Sequence, residues 1–435
     1  MGIRKIATAE DLASLLHDKN CNLMDIRPVA AYIGWVLNGE PRGGHIRGAR
    51  SFPLTWTRNE EWPDLLKNKG IIPDKQVIVY GYGTGESEKM ANKLDTIGYE
   101  NIYTFDLFSE WSENDRLPMD RLARFRQLVY PQWLRDLISG KNPGGYDNDR
   151  YIICHASYRY REDYESGHIP GAIHLDTEWI ESSKDWNRRS PDELRQAFLK
   201  LGIDRDTTVI LYGRFSHPNN EDEYPGRMAG QLAAMRCAQI LIYAGVKDVK
   251  ILNGGMAAWN EAGHEITTEE GEIHPVDDFK GKIPENPQLI IDTPQAKELL
   301  ASENGELVSI RSWDEFIANV SGYNYIDKAG RIPGAVFGNC GSDAYHMENY
   351  RNFDHTMREY HEIADIWKAD GIIPEKSIAF YCGTGWRASE AFFHAYFMGW
   401  PKIAVYDGGW LEWSSDPDNP VETSLPKNQN PAWLK

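Results

Sequence analysis

The chain repeats one local pattern three times, and that repetition constrains its fold more than any other feature. A short apolar run ends in a turn that leads into a helical pattern at Val77-Ile78-Val79-Tyr80-Gly81, at Val209-Ile210-Leu211-Tyr212-Gly213 and at Ile378-Ala379-Phe380-Tyr381-Cys382. Upstream of each run stands the same Gly-x-Ile-x-Gly-Ala hexapeptide, at Gly44 to Ala49, Gly167 to Ala172 and Gly330 to Ala335. Each copy opens on a helix signal beginning near Thr8, Pro131 or Thr293, with Thr8 and Thr293 as N-caps and Pro294 at the first helical position. Further strands are expected at Asn22 to Ile26, Tyr151 to Cys154 and Leu307 to Ile310, and each copy closes on one at Ile102 to Asp106, Val249 to Asn253 or Ile403 to Asp407. Strands alternating with helices predict an α/β fold of three tandem domains, each a mostly parallel sheet flanked by helices on both faces.

A chain of 435 residues exceeds one ordinary core, so three domains also suit its length. The expected bounds are 1–120, 127–275 and 285–425, with linkers at Leu117 to Arg126 and Pro275 to Pro287, where Pro or charge replaces apolar periodicity. The interval from Gly81 to Asp106 equals that from Cys382 to Asp407, whereas Gly213 to Asn253 is longer. The surplus falls in the polar stretch Ser216 to Gly226, which reads as a surface insertion. The tail after Pro420 is polar and is expected to be loose or laid over the surface.

The three copies differ at one decisive place. Gly81 and Gly213 stand where the third copy has Cys382, so the first two are expected to be inactive. Cys382 ends a strand and is followed by Gly383-Thr384-Gly385-Trp386-Arg387 at the start of a helix. A thiolate there is stabilised by unpaired backbone N–H groups and by the helix dipole, and the glycines let the backbone curl around the sulfur. Cys382 is therefore the candidate nucleophile, with residues 383 to 387 as its binding loop. Cys154 in a strand and Cys237 in a helix read as core residues, while Cys340 lies on a loop of the third domain and is a candidate resolving thiol.

Composition removes several classes of function. A formal charge of −18 repels nucleic acid phosphates and anionic membrane, and no apolar run is long enough to span a bilayer. Five scattered cysteines do not form a disulfide framework, and no secretory signal is visible, so the expected location is cytoplasmic, or periplasmic if a signal was removed. No pattern suggests a metal or a cofactor; Gly81-Tyr82-Gly83-Thr84-Gly85-Glu86 misses the dinucleotide fingerprint at its last position and reads as a degenerate copy of the Cys382 loop.

These elements together resemble the rhodanese superfamily of sulfurtransferases over essentially the whole chain. The most specific matches are the Cys382 to Arg387 loop and Asp407-Gly408-Gly409-Trp410-Leu411-Glu412-Trp413. In the order and number of domains the chain is similar to the three-domain thiosulfate sulfurtransferase-like proteins of enteric bacteria. The resemblance implies a site between domains two and three. Sulfane sulfur would pass by ping-pong from thiosulfate or a related donor, through a persulfide on Cys382, to cyanide or a thiol, with a protein acceptor also conceivable. Arg387 would fix the loop or hold the departing anion, or else bond a carboxylate such as Asp407. Trp386 would wall the cleft or pack between domains, and Arg311 and Arg331 are candidate anion contacts. Glu315 stands where two-domain relatives carry an anion-binding arginine, and Gly383-Thr384-Gly385 leans towards the 3-mercaptopyruvate type, so the donor stays open.

Two rival readings remain at this stage. A phosphatase would also cradle an anion between Cys and Arg, but its ring is one residue larger than the Cys382 to Arg387 spacing. A carrier of sulfur or selenium for a biosynthetic partner would use the cysteine-less domains as docking surfaces and would not turn over.

Overall fold

A computed structural model describes residues 3–214 and 230–426. The Ser216 to Gly226 stretch and the tail beyond Pro426 lie outside the described residues. The chain forms two compact units, Met1–Arg126 and Gln127–Lys435.

The first unit holds one five-stranded parallel sheet in the order Arg4–Lys5, Ile102–Phe105, Gln76–Tyr80, Cys21–Asp25, Arg50–Ser51. Two further sheets in the second unit repeat this topology. One runs Ala172–Asp176, Tyr151–Ser157, Thr208–Tyr212, Asp248–Leu252, Leu128–Val129, and the other Ile290–Ile291, Ile403–Tyr406, Ser377–Tyr381, Gly305–Ser309, Val336–Phe337. All pairings within these three sheets are parallel. In every sheet the central strand ends on a tyrosine, and the next residue is Gly81, Gly213 or Cys382. That position is the carboxyl end of a strand where the strand order reverses, the place where open α/β sheets leave a crevice.

Expected and observed elements differ mostly at their ends. Thr8 caps Ala9–Leu15 as expected, accepting the Asp11 N–H. The cap of Thr293–Ala301 is Asp292, which forms a capping box with Gln295, so Thr293 rather than Pro294 is the first helical residue. Its hydroxyl is drawn instead to the Tyr406 phenol at 2.7 Å and to Glu412. The expected linker Leu117 to Arg126 is more structured than its composition suggests: Met119–Asp120 pairs antiparallel with His45–Ile46, and Leu122 is buried. Residues 421–426 continue along the surface, where Glu422 bridges to Arg331.

Two helices join the sheets of the second unit. Gly230–Ala244 is buried along its whole length, and Trp386–Phe397 is buried except at Tyr396; the two pack against each other. A helix apolar on all sides needs cover on all sides, and each supplies cover for the other. On the opposite face of the third sheet, Ala379, Tyr381, Ala404 and Tyr406 pack with Leu307, Trp410 and Trp413 into one core. Among the described residues no helix is long and apolar enough to cross a membrane.

Candidate active site

The sulfur of Cys382 sits in a loop built from glycine and backbone amides. The residue is 1 % exposed, and the Gly385 N–H donates to its Sγ at 3.3 Å. Gly385 is the N-cap of Trp386–Phe397 and has φ +117, a conformation that favours glycine. Gly383 is required for a different reason, since a Cβ there would stand 2.5 Å from Cζ of Tyr323. The loop is held from beneath by the turn after Asp407: the Trp410 N–H donates to the Cys382 carbonyl at 2.8 Å, and the Leu411 N–H to the Gly383 carbonyl at 2.9 Å. A side chain at Gly409 would collide with both carbonyls, which explains the second glycine of that motif.

Both terminal nitrogens of Arg387 are committed to partners within the third repeat. Its guanidinium is buried and donates from Nη1 to Glu315 at 2.9 Å and to the Asp343 carbonyl at 2.9 Å, and from Nη2 to Glu315 at 2.9 Å and to the Tyr323 hydroxyl at 2.5 Å. The carboxylate partner is thus Glu315 rather than Asp407. Glu315 is the third residue of Trp313–Phe316, and its capping box with Ser312 turns its carboxylate inwards beneath the loop. Although burial disfavours the charge, Arg387 and Arg311 hold the Glu315 carboxyl down to about 2.

Arg311 is committed in the same way, donating to Glu315 at 3.1 Å and to the carbonyls of Gly330 and Ser321, with its guanidinium over the Trp410 ring. Arg331 bonds the carbonyls of Phe316 and Ser424 and pairs with Glu422 at 2.8 Å. Both candidate anion contacts are therefore occupied by the protein itself.

The surroundings of the sulfur are aromatic and come from two repeats. Tyr323 lies against Gly383, and Tyr325, 39 % exposed, meets the Thr384 hydroxyl. Tyr325 packs on Trp186 of the middle repeat with ring centroids 4.7 Å apart, and Tyr158 meets Trp386 edge-on at 5.7 Å. The indole N–H of Trp386 donates to both oxygens of Glu181, at 3.2 and 3.1 Å. Glu181 pairs with Arg236, which also reaches Asp407, and Asp407 pairs with Arg188 at 2.8 Å. Every guanidinium in this set is matched by a carboxylate. Cys340 is fully buried nearby, and burial pushes its thiol up to about 12. In that state it is a poor nucleophile.

The Rhodanese-like domain model matches the chain at residues 8–114, 131–262 and 292–416. The chain belongs to the rhodanese family. It is 42 % identical to thiosulfate sulfurtransferase YnjE of Escherichia coli over 94 % of the chain and 90 % of that protein. Solved structures of EanB superpose with a TM-score of 0.95 at 51 % identity, covering 98 % of this chain and 99 % of the wild-type EanB chain. EanB has been solved with hercynine, with ergothioneine, and with ergothioneine covalently linked to a persulfide cysteine. This rhodanese-family chain is accordingly a sulfurtransferase.

The other two rhodanese repeats close the equivalent position by different means. A Cβ on Gly81 would stand 3.0 Å from Glu86 Oε2, and that carboxylate accepts the Tyr82 N–H at 3.1 Å. Glu86 thus folds its own anion into the first loop. In the middle repeat a Cβ on Gly213 would collide with the backbone of Gly230 and Gln231, and Gln231 accepts the Gly213 N–H at 2.9 Å.

The loop residues 382 to 387 were legible in the rhodanese pattern, whereas Tyr158, Glu181, Trp186, Arg236, Tyr323 and Tyr325 were not. Four of these belong to the middle repeat, and the two tyrosines lie on a segment without regular structure.

Proposed function

We propose that Cys382 carries sulfane sulfur as a persulfide and passes it to a small heterocyclic acceptor with a cationic head, of the kind represented by hercynine. The observation that carries this reading is the lining of the sulfur. Aromatic rings of Tyr158, Trp186, Tyr325 and Trp386 gather at the loop, while Arg236 and Arg188 are bonded to carboxylates and Arg387 and Arg311 share the single carboxylate of Glu315. A dianion such as thiosulfate gains little there, whereas a quaternary ammonium against aromatic faces gains about 0.5–2 kcal/mol. The likeness to EanB, solved with hercynine and ergothioneine, supports the same reading.

In the first step the Cys382 thiolate bonds the outer sulfur of a donor. With thiosulfate, the S–S bond of the donor breaks and sulfite leaves with the electron pair. In the second step the terminal sulfur bonds the imidazole carbon between the two nitrogens, the persulfide S–S bond breaks with its electron pair left on the Cys382 sulfur, and that sulfur takes the proton of the carbon while the product leaves as a thiolate. The Gly385 N–H and the helix N-terminus stabilise the anionic sulfur in both. Half-buried Tyr323 packs against the loop at Gly383.

The test supplies the chain with thiosulfate, 3-mercaptopyruvate or inorganic polysulfide, and with hercynine, cyanide or a thiol, and quantifies ergothioneine, thiocyanate and sulfide. Multiple turnovers to ergothioneine are expected. Turnover to thiocyanate with no ergothioneine from any donor would reject the acceptor and favour thiosulfate sulfurtransfer of the YnjE kind. A single loading without turnover would favour a carrier.

A further inference from the structure

We infer that Arg236 and Glu181 of the middle repeat are positioning residues for the Cys382 loop, so that the repeat without a cysteine completes the site of the repeat that has one. The inference rests on the reading that Cys382 carries the sulfur. Arg236 stands on the buried Gly230–Ala244 helix and is itself fully buried. Its guanidinium spreads over four partners: Nε donates to Glu181 at 2.5 Å, Nη1 to Gln239 at 3.2 Å, and Nη2 to the Trp186 carbonyl at 3.1 Å and to Asp407.

Three of the resulting contacts converge on the loop. Nη1 lies 3.3 Å from the place a Gly385 Cβ would take, and Gly385 is the residue whose N–H meets the sulfur. Glu181 holds the indole of the next residue, Trp386, with both oxygens. Asp407 opens the turn whose Trp410 and Leu411 amides hold the carbonyls of Cys382 and Gly383. One buried ion pair therefore fixes the loop on the side that its own repeat leaves uncovered. Apolar side chains of the same volume would commonly be as stable as such a pair. What they lack is the directional hold on Trp386 and on Asp407, and the guanidinium packed beside Gly385.

The experiment measures single-turnover discharge. The full chain is loaded with polysulfide, occupancy of Cys382 is read by mass spectrometry, and transfer to cyanide is timed per loaded sulfur, a rate that loss of folded protein does not change. Arg236→Met and Glu181→Leu each strand a buried charge and are expected to lower the unfolding midpoint. The double variant removes both charges and is expected to be more stable than either single variant while discharging about 10- to 100-fold more slowly than the parent, the range for a reacting group displaced by about 1 Å. Arg236→Lys keeps the charge but not the fork and is expected to fold and to discharge about 10-fold more slowly.

Parental discharge rates in the folded double variant and in Arg236→Lys would overturn the inference and leave the role of Cys382 intact. Failure of the parent itself to load Cys382 would instead reject the underlying reading.

Discussion

Replacing Glu315 by Gln tests whether the buried charges beneath the loop are as tightly balanced as their geometry indicates. Glu315 is shared by Arg387 and Arg311, and all three side chains are almost completely buried. The variant keeps the shape and removes the charge, leaving two guanidiniums with carbonyls, a phenol and an amide. Breaking a buried pair in this way costs about 3–5 kcal/mol. The titration of the group gives a similar figure: a carboxyl taken from 4.5 to about 2 by folding contributes about 3 kcal/mol at neutral pH.

Because the folded value is the lower one, this contribution is fully present above about pH 4.5 and is lost as pH falls through about 2. The assay is urea unfolding of the full chain followed by pulsed alkylation of Cys340, a fully buried thiol of the third repeat. At pH 7 the midpoint of Glu315→Gln should fall by roughly 1 M or more. The gap to the parent should hold between pH 5 and 8 and close on acidification. A gap worth less than about 1 kcal/mol, or one that widens in acid, would refute the argument.

Cys382→Ser should abolish the one-sulfur mass gain from every donor, and sulfur retained elsewhere on the chain would move the site. Gly383→Ala presses a methyl onto the Tyr323 ring and should cost about 1–3 kcal/mol while slowing loading of Cys382; unchanged stability and loading would show that Tyr323 yields freely. Gly81→Cys should not create a second sulfur-carrying thiol, because Glu86 occupies that loop, so two sulfurs per chain by mass spectrometry would contradict the account of the silent repeat. With its thiol pushed up to about 12 by burial, Cys340 should resist iodoacetamide at pH 8 while Cys382 reacts, and equal labelling would restore Cys340 as a resolving thiol.

The amino-acid sequence determined the architecture and singled out Cys382 as the candidate site. Three copies of one strand, turn and helix pattern, each with its Gly-x-Ile-x-Gly-Ala hexapeptide, specify three sheets of the same order. These signals are local, set by backbone conformation and by alternating apolar residues, and so they can be read without knowing what packs where. For the same reason the Cys382 loop stood out against Gly81 and Gly213.

Which side chains answer which was decided by tertiary structure. Arg387 and Asp407 both looked available, and the fold gave the first to Glu315 and the second to Arg188 and Arg236, partners distant in sequence. The cap at Asp292 rather than Thr293 and the aromatic lining drawn from the middle repeat have the same cause: a side chain's partner depends on direction and burial, which neighbouring letters do not encode. Cys382 was legible as a candidate nucleophile because the amide at its sulfur belongs to its own loop. Tyr158, Glu181, Trp186 and Arg236 reach its surroundings only where two repeats pack together.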